Sequence, residues 1–266
     1  MIKNIKLFVN NNDKSISTAN IVKENLINNG FIMNDDKFDL GIAIGGDGSF
    51  LRMIKQCNFS SNPYYVGINA GTLGFLQEVK LDDIDIFINE LKNDQYKIEN
   101  IGIQETTINH EAGTSKYLSL NEIVVRWHDL KKAQFKVMVD NDLLEYFAGD
   151  GLIISTSVGS TAHNLSYGGA IVFSDFHTLQ INPMGPINTA TYRTLFYPTI
   201  VPPSKNIIIK PIDGNEDLII TVDGENKYYN GVDSISTTIK DKKIKCLKLN
   251  NYNYPNKIYD KILAGK

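Results

Sequence analysis

Gly45-Gly46-Asp47-Gly48-Ser49 puts a carboxylate inside a glycine turn. Leu40, Ile42 and Ile44 alternate into it as a strand does, and Phe50, Leu51, Met53 and Ile54 follow at helical spacing. A glycine-rich strand-to-helix turn favours an anion, because free backbone N–H groups and the helix dipole point at it. Asp47 would repel that anion. With three of four Cβ atoms missing, backbone can approach a ligand closely, and Asp47 is the functional side chain that remains. A carboxylate so placed suits phosphoryl transfer: it can take a proton from an attacking hydroxyl, hold Mg²⁺, or do both. With a reference pKa of about 3.9 it is a feeble base. Its contribution would be orientation and late proton acceptance, worth ~10²–10⁴-fold. The competing reading is a tight turn whose Asp caps the following helix, and this stretch alone divides evenly between the two.

Two standard phosphate loops do not fit, since neither GxGxxG nor GxxxxGK[ST] occurs here. Three other stretches carry chemistry. "GDGLIISTSVGSTAHNLSYGGAI" (149–171) is dense in glycine and hydroxyls around one strand, and predicts a helix at about 161–172 capped by Ser160 or Thr161. That density suits adenosine or phosphate recognition, although a well-capped polar loop explains it equally. Asn121-Glu122 interrupts the apolar "YLSLNEIVVRW", where ribose hydroxyls or a strand end would satisfy the pair. "GINAGTLGFLQEV" (67–79) repeats the strand-then-glycine pattern. In a doubly wound sheet the carboxyl ends of adjacent strands line one crevice, which brings this loop to Asp47.

These stretches need elements to position them. Strand and helix alternate through the first hundred residues: "IKLFVN", a helix over 15–30, "FDLGIAI", "SFLRMIKQ", "YYVGIN" and a helix over 81–94. That pattern predicts a parallel, doubly wound α/β sheet. From about residue 97 the period becomes two, so the second half reads as largely antiparallel β, with a hairpin turn at Val139-Asp140-Asn141-Asp142-Leu143. Lysines at 240–248 alternate with Ile244, Cys246 and Leu247, which reads as an edge strand kept soluble. The length of 266 residues favours two domains. The 42% apolar and 21% charged content is that of a soluble globular protein, and the net charge of −3 argues against a nucleic-acid partner. No apolar run approaches the roughly 20 residues that span a bilayer. Cys57 and Cys246 stand apart with no CxxC pair, which fits a reduced, cytoplasmic protein without a zinc site.

Taken together and in order, Gly45-Gly46-Asp47-Gly48, "NAGTLGFL" (69–76), Asn121-Glu122, Gly149-Asp150-Gly151, "STSVGSTAHNLSYGG" (155–169) and "TVDGE" (221–225) resemble the NAD kinase family. The resemblance covers most of the chain. It implies an α/β Rossmann-like N-terminal domain (1–98, with 250–266 returning to it) and a mainly antiparallel β-sandwich C-terminal domain (99–249). It implies ATP-dependent phosphorylation of the adenosine ribose 2′-hydroxyl of NAD, giving NADP, with a divalent metal, Mg²⁺, whose ligands it does not assign. On that resemblance Asp47 is the proton acceptor, and Gly45, Gly46 and Gly48 admit the phosphates. Phe75 and Asp223 come with their motifs, Asn121 and Glu122 bind the dinucleotide, and Asp150 holds the nicotinamide ribose. Thr161, Ala162, His163, Asn164 and Ser166 hold the adenosine end. A homo-oligomer, dimer or tetramer, is implied, with a residue near Gly185 completing a neighbour's site. Where the family usually has Tyr, Arg and Pro with a hydroxyl residue, this chain has His163, Ala148 and Ser157-Val158. These departures bear on affinity rather than on reaction type.

Rivals fare worse. Phosphofructokinases carry an "IGGDGS" turn but need a "GTIDND"-like loop, which is missing here. A lipid kinase should show an apolar entry or a basic membrane-facing patch. A non-catalytic dinucleotide sensor gains nothing from a carboxylate facing phosphate. His110, His128 and His177 stand alone without metal-ligand spacing, and Arg193 fits a phosphate contact or a structural ion pair equally.

Overall fold

The computed structural model describes residues 2–71, 74–128, 132–214 and 216–264. Thr72 and Leu73 of the "NAGTLGFL" stretch, and residues 265 and 266 of the expected returning segment, lie outside the described residues. The chain runs through β1 (Asn4–Val9), α1 (Asp13–Asn28), β2 (Ile32–Met33), β3 (Leu40–Gly45), α2 (Asp47–Gln56), β4 (Tyr64–Asn69) and α3 (Ile84–Lys92). Strands β5 (Lys97–His110), β6 (Gly113–Ser119), β7 (Glu122–Trp127), β8 (Ala133–Val139), β9 (Asp142–Gly149) and β10 (Gly151–Thr156) follow. After the short α4 (His163–Ser166) come β11 (Leu179–Met184), β12 (Thr199–Val201), β13 (Ile207–Pro211), β14 (Glu216–Val222), β15 (Glu225–Lys248) and α5 (Tyr254–Ile258). Two compact units result, one of Met1–Asn100 with Lys243–Lys266 and one of Ile101–Lys242.

The first unit is a parallel sheet in the order β2-β1-β3-β4, with Lys245 and Cys246 of β15 paired to Tyr64 and Tyr65 of β4. Its strands are buried on both faces because helices cover both. Val22 and Leu26 of α1 and Phe87 and Leu91 of α3 pack with Ile5, Ile42, Ile44 and Val66 into one core. Met53 of α2 and Tyr65 crowd Gly41 on the other face. Removing one large side chain from such a core costs about 2–5 kcal/mol. Asn12 caps α1 by accepting from the Ser15 N–H at 2.9 Å, which ends β1 and turns the chain at the carboxyl edge of the sheet.

The second unit is antiparallel. One sheet runs β12-β11-β10-β7-β14-β15, and β9-β8-β13 joins β15 further along. Ile123, Leu152 and Ile220 from the first set pack against Phe135, Phe147, Ile207 and Ile209 from the second, the shared core of a β-sandwich. The β8–β9 hairpin turns at Asp140, whose φ is 54°.

Two expectations are corrected. Lysines 240–248 are not on an edge: β15 pairs with β4 there, and Lys248 is buried. The helix expected over 161–172 is only His163–Ser166, after a 3₁₀ turn at Val158–Thr161. Neither Ser160 nor Thr161 caps it. The Ser160 hydroxyl instead accepts from the Val172 N–H at 3.0 Å, and Gly168-Gly169 turns the chain away from the helix. No described helix is long and apolar enough to cross a membrane.

Candidate active site

In the first unit, β1 leads to β2 on one side while β3 lies on the other, so the strand order reverses between β1 and β3. Ligands of open α/β sheets bind at such a reversal, outside the carboxyl ends of the strands. A cavity of about 500 Å³ opens there, lined by Asn10, Asn12, Ser15, Gly45, Gly46 and Asn69 among others. Gly46 is the N-cap of α2 and makes no side-chain cap, and Asp47 is the first residue of the helix. The Asp47 carboxylate does not cap its own helix. Its Oδ2 accepts from the Phe75 N–H at 2.8 Å and its Oδ1 from the Leu76 N–H at 2.9 Å. Both donors belong to the loop after β4. A Cβ at Gly74 would overlap that carboxylate, so the loop can only come this close with glycine there.

Gly46 and Gly48 are different. A Cβ at Gly46 meets nothing within 4 Å, and one at Gly48 meets only the Arg52 guanidinium, at 3.7 Å. Packing within the protein asks for neither glycine, and a helical glycine costs up to ~1 kcal/mol relative to alanine. The space above the turn is therefore left for something else. Arg52 anchors beside it, Nη2 donating to Asn10 Oδ1 at 2.7 Å and to Ser49 Oγ at 3.1 Å. Burial lowers the Lys261 amine, while the Asp47 charge opposes that fall. Among the described residues no group of three or more His, Cys, Asp or Glu side chains is gathered to hold a metal ion.

In the second unit, Asp223 organises Asn121 and Glu122. Its carboxylate accepts from the N–H groups of Leu120, Asn121 and Glu122 at 2.8, 2.8 and 3.2 Å, and its own N–H returns to the Glu122 carbonyl at 3.1 Å. This explains the polar pair: β6 ends at Ser119, β7 starts at Glu122, and Asp223 holds the break. The Asn121 carbonyl accepts from the Thr156 N–H at 2.8 Å, and a Cβ at Gly159 would overlap it. Glu122 is only 5% exposed, with its Oε2 buried and unpartnered. Burial, then the Asp223 charge, pushes Glu122 up to about 8, and burial pushes Asp223 up to about 6. Glu122 is thus a protonated carboxyl at neutral pH, able to donate as well as accept.

Burial, then the Arg126 charge, lowers the His163 pKa, and its ring stands edge-on to Tyr167 with centroids 5.3 Å apart. Thr161, Ala162 and His163 are half-buried and Ser166 is exposed. Asn164 lies deeper. It is fully buried, its amide donating to the Ser160 carbonyl at 3.3 Å and accepting from Asn182 at 2.9 Å, so it braces the loop. Asp150 is exposed, and its carboxylate lies where a Cβ on Gly185 (φ 51°) would sit. Arg52, Lys261 and Arg126 stand near these groups without a motif in the sequence to single them out. Arg52 lies one helical turn beyond the glycines, and Arg126 near the end of β7 pairs with Gly151.

Residues 4–96 match the ATP-NAD kinase N-terminal domain and residues 120–246 the ATP-NAD kinase C-terminal domain. An NAD kinase of Finegoldia magna is 41% identical over 271 residues, 98% of each chain. The chain belongs to the NAD kinase family. NAD kinase 1 of Bacillus cereus is 30% identical over 96% of this chain and 97% of its own. The family fold is equally plain among solved structures. A yeast NADH kinase complexed with NADH superposes with a TM-score of 0.82 at 18% identity, over 100% of this chain and 88% of that one. An Archaeoglobus fulgidus NAD kinase in complex with ATP gives 0.74 at 19% identity, over 96% of both.

Two outcomes follow from this geometry. Gly48→Ala should raise the melting temperature, by up to ~1 kcal/mol of helix stability, yet lower the phosphorylation rate by filling the ligand space; an unchanged rate would remove Gly48 from the site. Glu122 keeps in the folded state a proton that the unfolded chain has lost, so its stabilisation declines as pH rises from about 4.5 toward about 8. Glu122→Gln should therefore lose less thermal stability than the wild type across that window. Parallel melting curves for the two would contradict the raised value.

Proposed function

We infer that the chain phosphorylates the adenosine ribose 2′-hydroxyl of NAD with ATP, giving NADP and ADP, with Asp47 as proton acceptor. The observation that supports this assignment is the Asp47 carboxylate, aimed by two backbone N–H groups beside glycines that internal packing does not require. The hydroxyl oxygen attacks the γ-phosphorus as the bond to the bridging oxygen of ADP breaks. The hydroxyl proton passes to Asp47 late in the transfer. Gly46 and Gly48 leave room for the phosphates, while Gly45 (φ 148°) is called for by packing, since a Cβ there would meet Ser49 Oγ; Phe75 presents one donor to Asp47. Asn121 and Glu122, ordered by Asp223, bind the dinucleotide, and Asp150 takes the nicotinamide ribose. Thr161, Ala162, His163 and Ser166 face the adenosine end on a loop that Asn164 braces. In this reading residues 1–98 with 250–266 form the phosphate-handling domain, and 99–249 the dinucleotide-binding domain.

Asp47 is the carboxylate at the turn that would face a divalent ion, Mg²⁺ by its chemistry, which would supply neutralisation of phosphate charge. A single carboxylate at the turn suits such a shared ion better than a protein-built cage. The exposed Leu195, Phe196, Tyr197 and Ile200 support a homo-oligomer that covers them. Two free cysteines, one of them buried, are consistent with a reducing, cytoplasmic setting.

Purified protein should form NADP from NAD, ATP and Mg²⁺, none from an NAD analogue lacking the adenosine 2′-hydroxyl, and none after excess EDTA. No NADP in the complete mixture would overturn the assignment, and full activity in EDTA would overturn the metal.

A further inference from the structure

The loop that grips Asp47 is itself gripped from its far side. The Lys257 ammonium, on α5 and 8% exposed, donates to the Gln77 carbonyl at 2.7 Å, one residue beyond the Leu76 donor. Glu78 next to it accepts from the Leu249 N–H at 3.1 Å and lies 3.5 Å from Lys248 and 3.6 Å from Lys257. Glu99 balances the set, 3.0 Å from Lys248. The Gln77 side chain is fully buried against Gly67 with no hydrogen-bond partner, so the Lys257 contact supplies the polar anchor at that residue. A buried charge with few partners is expensive, and one that survives is held for a purpose or by a network.

The two lysines of the cluster differ. Burial opposes the charge of Lys248, but Glu99 and Glu78 outweigh it and raise its pKa. Among the described residues Lys257 has only the more distant Glu78 within ion-pair range. Burial, then the Lys248 charge, lowers it to about 8 against the pull of Glu78, Asp47 and Glu99. Tyr252, whose ring lies 5.3 Å from its ammonium, is itself raised by burial and stays neutral.

We propose that Lys257 is a positioning residue, which holds the 74–79 loop so that the Phe75 and Leu76 N–H groups stay on Asp47. Its ammonium touches no reacting atom. It acts through the Gln77 peptide, and the catalytic consequence rests on Asp47 being the proton acceptor. Below pH of about 8 the ammonium is charged and the loop is anchored; above it the charge is lost and the anchor weakens. Turnover at saturating NAD and ATP therefore falls on the alkaline side, whereas titration of Glu122 in the dinucleotide site acts on KM for NAD.

Lys257→Met and Lys257→Arg in the full chain test this by two readouts. Amide exchange at Phe75 and Leu76 should speed up about 10-fold or more in Lys257→Met, from loss of a charged hydrogen bond, and return toward wild type in Lys257→Arg. In NADP formation, Lys257→Met should lower kcat by roughly 10- to 100-fold with KM for NAD little changed, the cost of a loosened catalytic group. Lys257→Arg should restore kcat at neutral pH and lack the alkaline fall, because a guanidinium keeps its charge. Unchanged exchange in Lys257→Met overturns the proposal, as does an alkaline fall retained in Lys257→Arg. If Lys257→Met does not fold, the arginine variant decides by its pH profile. A wild type that forms no NADP refutes the catalytic assignment, while amide exchange still decides the role of Lys257.

Discussion

Two N–H groups converging on one carboxylate tie the loop after β4 to the start of α2. Phe75 and Leu76 reach Asp47 only if the loop after β4 runs back across the start of α2, and that crossing is possible only because Gly74 has no side chain. Parallel pairing of β3 with β4, from Leu40↔Tyr64 to Gly45↔Asn69, brings the two glycine segments side by side at one sheet edge. Register, glycine and carboxylate form a single device. Its effect is to fix the direction of the Asp47 carboxylate, and in phosphoryl transfer positioning is most of what a protein can offer.

A second carboxylate device works by the opposite physics. Asp47 stands half-buried at an open turn, whereas Glu122 and Asp223 are withdrawn from water and raised well above ordinary carboxyls. Asp223 spends its oxygens on three backbone N–H groups and so shapes the Leu120–Glu122 break from the far end of β14. Glu122, left with an unpartnered oxygen and a proton, is suited to hydrogen bonding a neutral ribose or base. Under the proposed function, one carboxylate would accept a proton in transfer and another would serve recognition, and they differ in burial.

What was legible in the sequence was local. The alternation of Leu40, Ile42 and Ile44 into glycines and then a helical pattern predicted β3, the turn and α2, because each signal lies within a few residues of the next. The period-two stretches similarly predicted antiparallel β, while the sandwich was implied by the family resemblance. The misreadings arose where distant partners decide. Lysines 240–248 have the pattern of a solvated edge, but β4 pairs with them and Glu78 and Glu99 take Lys248 inward. Ser160 has the type and position of a helix cap, but its hydroxyl is used by Val172, 12 residues on. Lys257 reaches a carbonyl 180 residues away, a contact no periodicity can announce.

The central claim, that the hydroxyl loses its proton to Asp47, is tested most directly by Asp47→Asn, measured for both NADP formation and NAD binding by calorimetry. The amide keeps the shape of the side chain but cannot take the proton. NAD should bind with near wild-type affinity while turnover falls by at least ~10². Turnover within about threefold of wild type, far inside the loss expected for a positioned base, would mean that Asp47 is not the proton acceptor.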